Sequence, residues 1–162
     1  MLWKLLFLVS IAIGLGYPLW CIWYFKQIPT TISATWYDHK AKNEKLIWLF
    51  QIWSWGTMYT LAPFIFKMSD FQNLDSAIGC MICCMLFFVG FFPKYREHQS
   101  CWHYTCAFLC ALFAFTWACL LDYQYVPLWY LAMLPIGALA KPDSAGYFAE
   151  LVAFLSMYTV IG

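Results

Sequence analysis

The sequence has few charged residues for its length, because Asp, Glu, Lys and Arg together make up only 10% of its 162 residues. A typical soluble domain carries about 25% charged residues. The chain is 64% hydrophobic and 22% aromatic, so a soluble fold of this size would expose too much apolar surface to water. The sequence therefore favours an integral membrane protein and leaves no room for a sizeable domain outside the membrane.

Basic residues are also scarce, and they form no cluster dense enough for a nucleic-acid interface. Four lysines are spread from Lys26 to Lys45, beside the end of an apolar run, and the formal net charge is +1. Lysines in such a place are typical of the ends of membrane-spanning helices. We therefore expect no nucleic-acid partner. Membrane lipids, a membrane protein or a second copy of the chain are the expected partners.

The eight cysteines do not resemble the disulfide framework of a small secreted protein. All but Cys101 lie inside apolar runs, where cysteine behaves as a small packing residue. In the run "GCMICCMLFFVG" the cysteines accompany Gly79 and Gly90, and such small residues let a neighbouring helix approach closely. This pattern indicates helix packing in preference to a thiolate metal site.

Six apolar runs are long enough, or nearly long enough, to cross a membrane. The first begins like a signal peptide at Lys4 but continues to Trp23 without a small-residue cleavage site, which predicts an uncleaved span. The sequence predicts an all-α helical bundle that forms one transmembrane domain over residues 1–162. Five spans are the alternative, because Pro135 interrupts the short fifth run and a carboxylate lies in the sixth. The six predicted spans are residues 2–25, 46–66, 76–92, 104–121, 126–140 and 145–162.

The distribution of lysine and arginine predicts the orientation of the bundle. Seven of these residues lie in loops one, three and five, and only Lys4 and Lys67 lie on the opposite side. Cytoplasmic loops of membrane proteins are enriched in basic residues. We therefore expect loops one, three and five in the cytoplasm, and a bacterial inner (plasma) membrane as the location.

One face of the predicted bundle receives all three histidines. Loop one supplies Asp38 and His39, and loop three supplies His98 and His103. Histidine nitrogens and carboxylate oxygens bind zinc, which can activate a water molecule for hydrolysis. The five-residue spacing of His98 and His103 is unfavourable, because histidines of a helix-borne zinc motif are four apart. No cofactor is therefore the main expectation, and zinc or a similar ion is the alternative.

Three polar residues within the predicted spans are further candidates. Glu150 lies in the sixth span, where a carboxylate near the bilayer centre costs about 2.5 kcal/mol or more, although it also lies close to the helix start. Ser54 and Thr57 share a face of the second span. They could line a cavity or hydrogen-bond to a neighbouring helix. With Glu150 they could form the path of a small transporter or channel.

Two short segments carry a family resemblance: "IPTTISATWY" after the first span and "HYTCAF" at the start of the fourth. This layout resembles the six-span Frag1/DRAM/Sfk1-like and related small bacterial membrane protein families. Those proteins have a Pro-x-(x)-Ile-Ser segment after the first helix and a histidine near the start of a later one. Ala34 and Thr35 stand where Asp and Gly often follow the Ile-Ser pair. The matching residues are Pro29, Ile32, Ser33 and His103.

The resemblance implies a six-helix membrane protein with a lipid-related role and no established chemistry. It also implies that loop one lies on the non-cytoplasmic side, which conflicts with the distribution of basic residues. Three functional hypotheses follow from the sequence. The favoured one is a non-enzymatic membrane protein that binds lipid or a membrane protein partner. The others are a small transporter or channel that uses Glu150, and a metal-dependent intramembrane hydrolase that uses the histidine, aspartate and glutamate cluster.

Overall fold

The computed structural model describes residues 2–69, 74–91, 101–121 and 126–162, and within these ranges the chain is helical and contains no β-strand. The all-α prediction is therefore confirmed for the described residues. Short 3-10 turns at Glu44–Leu46 and Pro142–Ser144 precede the fourth and eighth helices. The α-helices are α1 (Leu2–Gly14), α2 (Gly16–Phe25), α3 (Thr35–Lys42), α4 (Trp48–Met68), α5 (Leu74–Phe91), α6 (Cys101–Leu121), α7 (Val126–Ala140) and α8 (Ala145–Ile161).

Four described stretches are long and apolar enough to cross a membrane: Leu2–Phe25, Leu74–Phe91, Cys101–Leu121 and Pro142–Ile161. Each belongs to one of the predicted spans. Helix α4 has 21 residues, but its glutamine, hydroxyl and tryptophan side chains make it less apolar than these four. Helix α7 has the bounds predicted from the sequence but only 15 residues. Length and composition alone therefore identify four spans and not six.

The first span is a single apolar stretch that is broken into α1 and α2 at Leu15. Pro18 lies four residues after Gly14 and has no backbone N–H, so it cannot donate to the Gly14 carbonyl as a helical residue would. The indole Nε1 of Trp53 donates to that carbonyl instead, at 3.2 Å. The break thus becomes a hydrogen-bonded contact between the first span and α4.

Loop one contains α3, on which Asp38 and His39 lie. One sequence prediction about the histidine-bearing loops needs correction. Helix α6 begins at Cys101, three residues before the predicted start, so His103 lies in the first turn of a helix and not in loop three. Cys101 and Trp102 have ordinary helix propensities, so the helix can begin before His103. His98 lies outside the described residues.

The helices pack in an order that differs from their order in the chain. Helix α5 packs between α4 and α6, α8 packs against α6 and α7, and α1 packs against α4. At the α4–α5 contact, Ser54 Oγ donates to the Leu86 carbonyl at 2.7 Å. A Cβ atom at Gly90 would lie 2.7 Å from Trp55 Nε1 and 3.0 Å from the Ser54 hydroxyl oxygen. Gly90 therefore permits the close helix approach that the sequence indicated.

Candidate functional site

Residues 28–34, which we call the loop-one segment, fold back against the start of α8. The carbonyl of Ile28 accepts hydrogen bonds from Ser144 Oγ at 3.1 Å and from Lys141 Nζ at 3.3 Å. The carbonyl of Thr30 accepts from the backbone N–H of Tyr147 at 3.0 Å. The first N–H groups of a helix have no partner within that helix, so this contact satisfies one of them in α8. Residues 116 and 117 positions apart are thereby held together.

Glu150 continues this contact one turn further along α8. Its Oε2 atom accepts from the backbone N–H of Ile32 at 2.5 Å, and the backbone N–H of Ser33 is a second donor to the carboxylate. Thr31 Oγ1 accepts from the N–H of Ala34 at 2.9 Å. The three N–H groups that open the turn before α3 are thus all satisfied, two of them by a residue of another helix. A carboxylate at this position also interacts favourably with the positive end of the α3 dipole.

A glycine allows the loop-one segment to lie this close to α8. A Cβ atom at Gly146 would approach Thr31 Cγ2 to 2.7 Å and the Thr30 carbonyl oxygen to 3.2 Å. The carbonyl belongs to the backbone and cannot move without disturbing the hydrogen bond to Tyr147. Any larger residue at 146 would therefore push the loop-one segment away from α8.

Below this contact, helices α4, α5, α6 and α8 border a half-open cavity whose enclosed space is about 30 Å³. This space is about that of two water molecules, so a larger ligand would have to lie partly in the open side of the cavity. The walls are mostly alkyl and aromatic side chains, and the oxygen-bearing side chains among them are Ser33 and Glu150. The lining residues are Ser33, Trp53, Ile82, Leu86, Val89, Ala107, Cys110, Ala111, Ala114, Glu150, Ala153, Phe154 and Met157.

The alanines of α6 create much of this empty space. Ala107, Ala111 and Ala114 recur every three or four residues, so they lie on one face of the helix. Ala153 faces the cavity from α8. Methyl side chains at these positions leave a gap that larger residues would fill. The alanine spacing is visible in the sequence, but spacing alone does not distinguish a cavity wall from a close helix contact.

Among the described residues, no Lys, Arg or His side chain forms an ion pair with Glu150. Among the described residues, its hydrogen-bond donors are the backbone N–H groups of Ile32 and Ser33. A carboxylate offers about four acceptor positions, and two N–H donors occupy only part of them. Glu150 thus has a structural role as a helix cap, and the described groups occupy only part of its acceptor positions.

His39 is completely buried against α2. Its ring stacks on Trp20 with ring centroids 5.6 Å apart, and its Nε2 atom lies 3.9 Å from Cys21 Sγ. Phe25 also contacts the ring, with centroids 4.9 Å apart. Burial, together with the positive charge of Lys42, lowers the pKa of His39 to about 4. The imidazole is therefore neutral at physiological pH.

His103 lies in different surroundings, on α6 beside Phe50 of α4, with ring centroids 6.4 Å apart. It is 1% exposed. In the part of the chain that the structure describes, no three His, Cys, Asp or Glu side chains are close enough together to hold a metal ion. His98 is outside that part, so a metal site that includes it stays a prediction, as does the proposed role of Asp38.

The two hydroxyl residues predicted as candidates in the second span, Ser54 and Thr57, are buried but do not line the cavity. Ser54 bonds to α5, as described above. No described group forms a hydrogen bond with Thr57 Oγ1. The neighbouring Trp53 does line the cavity, although its polar Nε1 atom is directed to the Gly14 carbonyl.

The residues that carried the family resemblance do not all lie at one place. Pro29, Ile32 and Ser33 are buried in or beside the loop-one segment, and Ile32 and Ser33 contact Glu150. His103 contacts Phe50 on another face of the bundle. No protein-family model matches the chain, and no curated protein or solved structure is significantly similar to it. The resemblance to the Frag1/DRAM/Sfk1-like families therefore stays a prediction.

Proposed function

We propose that the chain is a non-enzymatic, six-span membrane protein that binds the hydrocarbon chain of a membrane lipid in the cavity between α4, α5, α6 and α8. The observation that carries this proposal is the apolar lining of the cavity. A lipid chain is the apolar ligand most abundant in a bilayer, and van der Waals contacts with the cavity walls would replace those that it makes with other lipid chains. No part of the proposal requires a catalytic group.

Exposed apolar side chains support the location in a membrane. Leu5 on α1 is 60% exposed, Phe108 on α6 is 67% exposed and Leu139 on α7 is 83% exposed. Contiguous apolar surface of this kind is rare on soluble proteins. Lipid is the solvent that fits these faces. The same faces are also available to a membrane protein partner or to a second copy of the chain.

The docking of the loop-one segment on α8 supports six spans in preference to five. Both ends of that contact lie on one side of the membrane, so the chain between them crosses the membrane an even number of times. Helix α4 packs against α1 and α5, and its 21 residues would extend about 31 Å, which matches the hydrocarbon core. If α4, α5 and α6 cross, α7 must cross as well, and a local thinning of the bilayer would accommodate its shorter length.

We retain the predicted orientation, with loops one, three and five in the cytoplasm and the bacterial inner membrane as the location. Lys141 and the basic end of α3 lie on the side where the loop-one segment contacts α8. This agrees with the enrichment of basic residues in cytoplasmic loops.

The two alternative functions have less support from the described residues. A transport path would have to join Glu150 to Ser54 and Thr57, and the cavity that Glu150 lines does not include those hydroxyl groups. A metal-dependent hydrolase would need ligands beyond His39, His103 and Asp38, since the described residues hold no group of three. Both alternatives stay predictions.

Mass spectrometry of lipids that copurify with the protein would test the proposed function. We expect wild-type protein to retain lipid after detergent purification, and Ala111→Trp to lose it because the indole fills the cavity. Leu112→Trp is the matched control, because Leu112 is 45% exposed and does not line the cavity. Equal lipid retention by all three proteins, each folded by circular dichroism, would contradict lipid binding in this cavity.

A further inference from the structure

The end of the first span carries an exposed stripe of three side chains that changes from apolar to cationic. Leu19 and Trp23 on α2 are 56% and 64% exposed and lie four residues apart, so they share one face of the helix. Lys26 follows at the helix end, and its Nζ atom lies 4.7 Å from the centroid of the Trp23 ring. We call these three residues the α2 stripe. Their order matches that of the acyl chain, the glycerol region and the phosphate of a phospholipid.

The backbone at Lys26 adopts a conformation that is costly for a residue with a side chain. Lys26 is the C-cap of α2 with a φ of 58°, and among the described residues other than glycine it alone has a positive φ. Glycine and asparagine are the usual residues at such a helix end. A lysine in their place supplies a cation, which the face of the Trp23 ring attracts. Trp23 thus holds the charge of Lys26 on the exposed side of the helix.

A second cation lies at the same end of α2. Lys42 Nζ, on α3, donates to the Tyr24 carbonyl at 2.6 Å and lies 4.1 Å from the centroid of the Tyr24 ring. This contact offsets part of the negative charge that the last carbonyls of a helix carry. A lysine ammonium has three N–H groups, so two of them remain for an anion. In the described part of the chain, neither Lys26 nor Lys42 forms an ion pair with an acidic side chain.

We infer that the α2 stripe and Lys42 bind an anionic phospholipid, with its phosphate at the two ammonium groups and an acyl chain along Trp23 and Leu19. A basic side chain beside a membrane-spanning helix strengthens the affinity for anionic lipid by about fivefold. A zwitterionic lipid carries a cationic group beside its phosphate, so it gains less from two lysines. These residues lie outside the cavity, so the inference goes beyond the proposed function and does not depend on it.

Quenching of Trp23 fluorescence by brominated lipid tests the inference. Wild-type protein and Trp23→Phe are placed in phosphatidylcholine nanodiscs that contain increasing mole fractions of phosphatidylglycerol or of phosphatidylcholine brominated in the acyl chains. The difference between the two proteins reports the quenching of Trp23 alone. We expect half-maximal quenching at a mole fraction of phosphatidylglycerol roughly tenfold or more below that of phosphatidylcholine. Added salt should narrow this difference, because it screens exposed charges.

The variant Lys26→Gln/Lys42→Gln removes both cations from this end of α2. We expect it to bring the two mole fractions to within about threefold of each other. Lys67→Gln is the matched control, because Lys67 Nζ also lies over a tryptophan ring, 4.6 Å from the centroid of Trp3 at the other end of the first span. All three lysines are exposed, so these substitutions leave the packed core unchanged. Each variant is compared with its own Trp23→Phe counterpart.

Three results would overturn the inference. Equal mole fractions of the two lipids on wild-type protein would mean that the α2 stripe has no preference for an anionic head group, and this comparison needs no variant. A preference that survives in Lys26→Gln/Lys42→Gln, or one that Lys67→Gln abolishes equally, would place the anionic site away from Lys26 and Lys42. Lipid retention in the cavity is measured separately with Ala111→Trp, so none of these results bears on the proposed function.

Discussion

Replacement of Glu150 by alanine would measure how strongly the two ends of the chain are held together. The variant would leave the N–H groups of Ile32 and Ser33, residues that are 1% and 5% exposed, without their carboxylate acceptor. A buried donor without a partner costs about 1–3 kcal/mol, so the loss is about 2–6 kcal/mol if the loop-one segment stays in place. If the segment detaches from α8, its N–H groups can donate to water, and most of this cost is avoided.

Hydrogen–deuterium exchange distinguishes these outcomes. We expect the amides of residues 30–36 to lose protection in Glu150→Ala, and the thermal midpoint to fall by at least about 4 °C, at 2–4 °C for each kcal/mol. Glu44→Ala is the matched control, because it removes the same side chain from an exposed 3-10 turn in the same connection. If Glu150→Ala and Glu44→Ala show the same exchange and the same midpoint, Glu150 does not cap the loop-one segment.

Three other variants test separate contacts. Gly90→Leu should destabilise the α4–α5 contact by about 1–3 kcal/mol through overpacking, whereas Gly16→Ala, with open space around it, should be nearly neutral in thermal unfolding. Thr31→Val removes the cap on the Ala34 N–H and should cost about 0.5–2 kcal/mol in the same assay. His39 has a pKa of about 4 when folded and 6.5 when unfolded, so the unfolded state binds more protons between these values and wild-type stability should fall as the pH drops from 6.5 to 4. His39→Phe should flatten this pH dependence, and an unchanged slope would refute the assignment.

The parts of the fold that depend on local composition could be predicted from the sequence. The bounds of α7, residues 126–140, follow from an apolar run with polar residues on both sides, and the first span likewise matches Leu2–Phe25. The break at Leu15 was not predicted, although Pro18 carries the signal for it. The early start of α6 was missed because a polar stretch was assumed to be a loop.

Helix α3 and the role of Glu150 could not have been predicted in the same way. In the turn that starts α3, two backbone N–H groups donate to Glu150. The sequence around Ile32 contains no pattern that indicates this partner. The position of Glu150 in the sequence is compatible with a functional group or an interfacial residue, and the structure adds a capping role. The cavity is also a property of the packed bundle, since Ala111 leaves a space only where its neighbours on other helices do not fill it.

The contact between the loop-one segment and α8 also sets an order of events in biosynthesis. The amide of Ile32 is made early, and its acceptor on Glu150 is added 118 residues later. Until Glu150 has been synthesised, the loop-one segment lacks its contact with this residue of α8. Contacts of such long sequence separation form late, because the intervening chain must first be ordered. Arrival of α8 is therefore the step that completes this contact, and we expect a nascent chain that stops before residue 150 to leave the loop-one segment accessible to proteases.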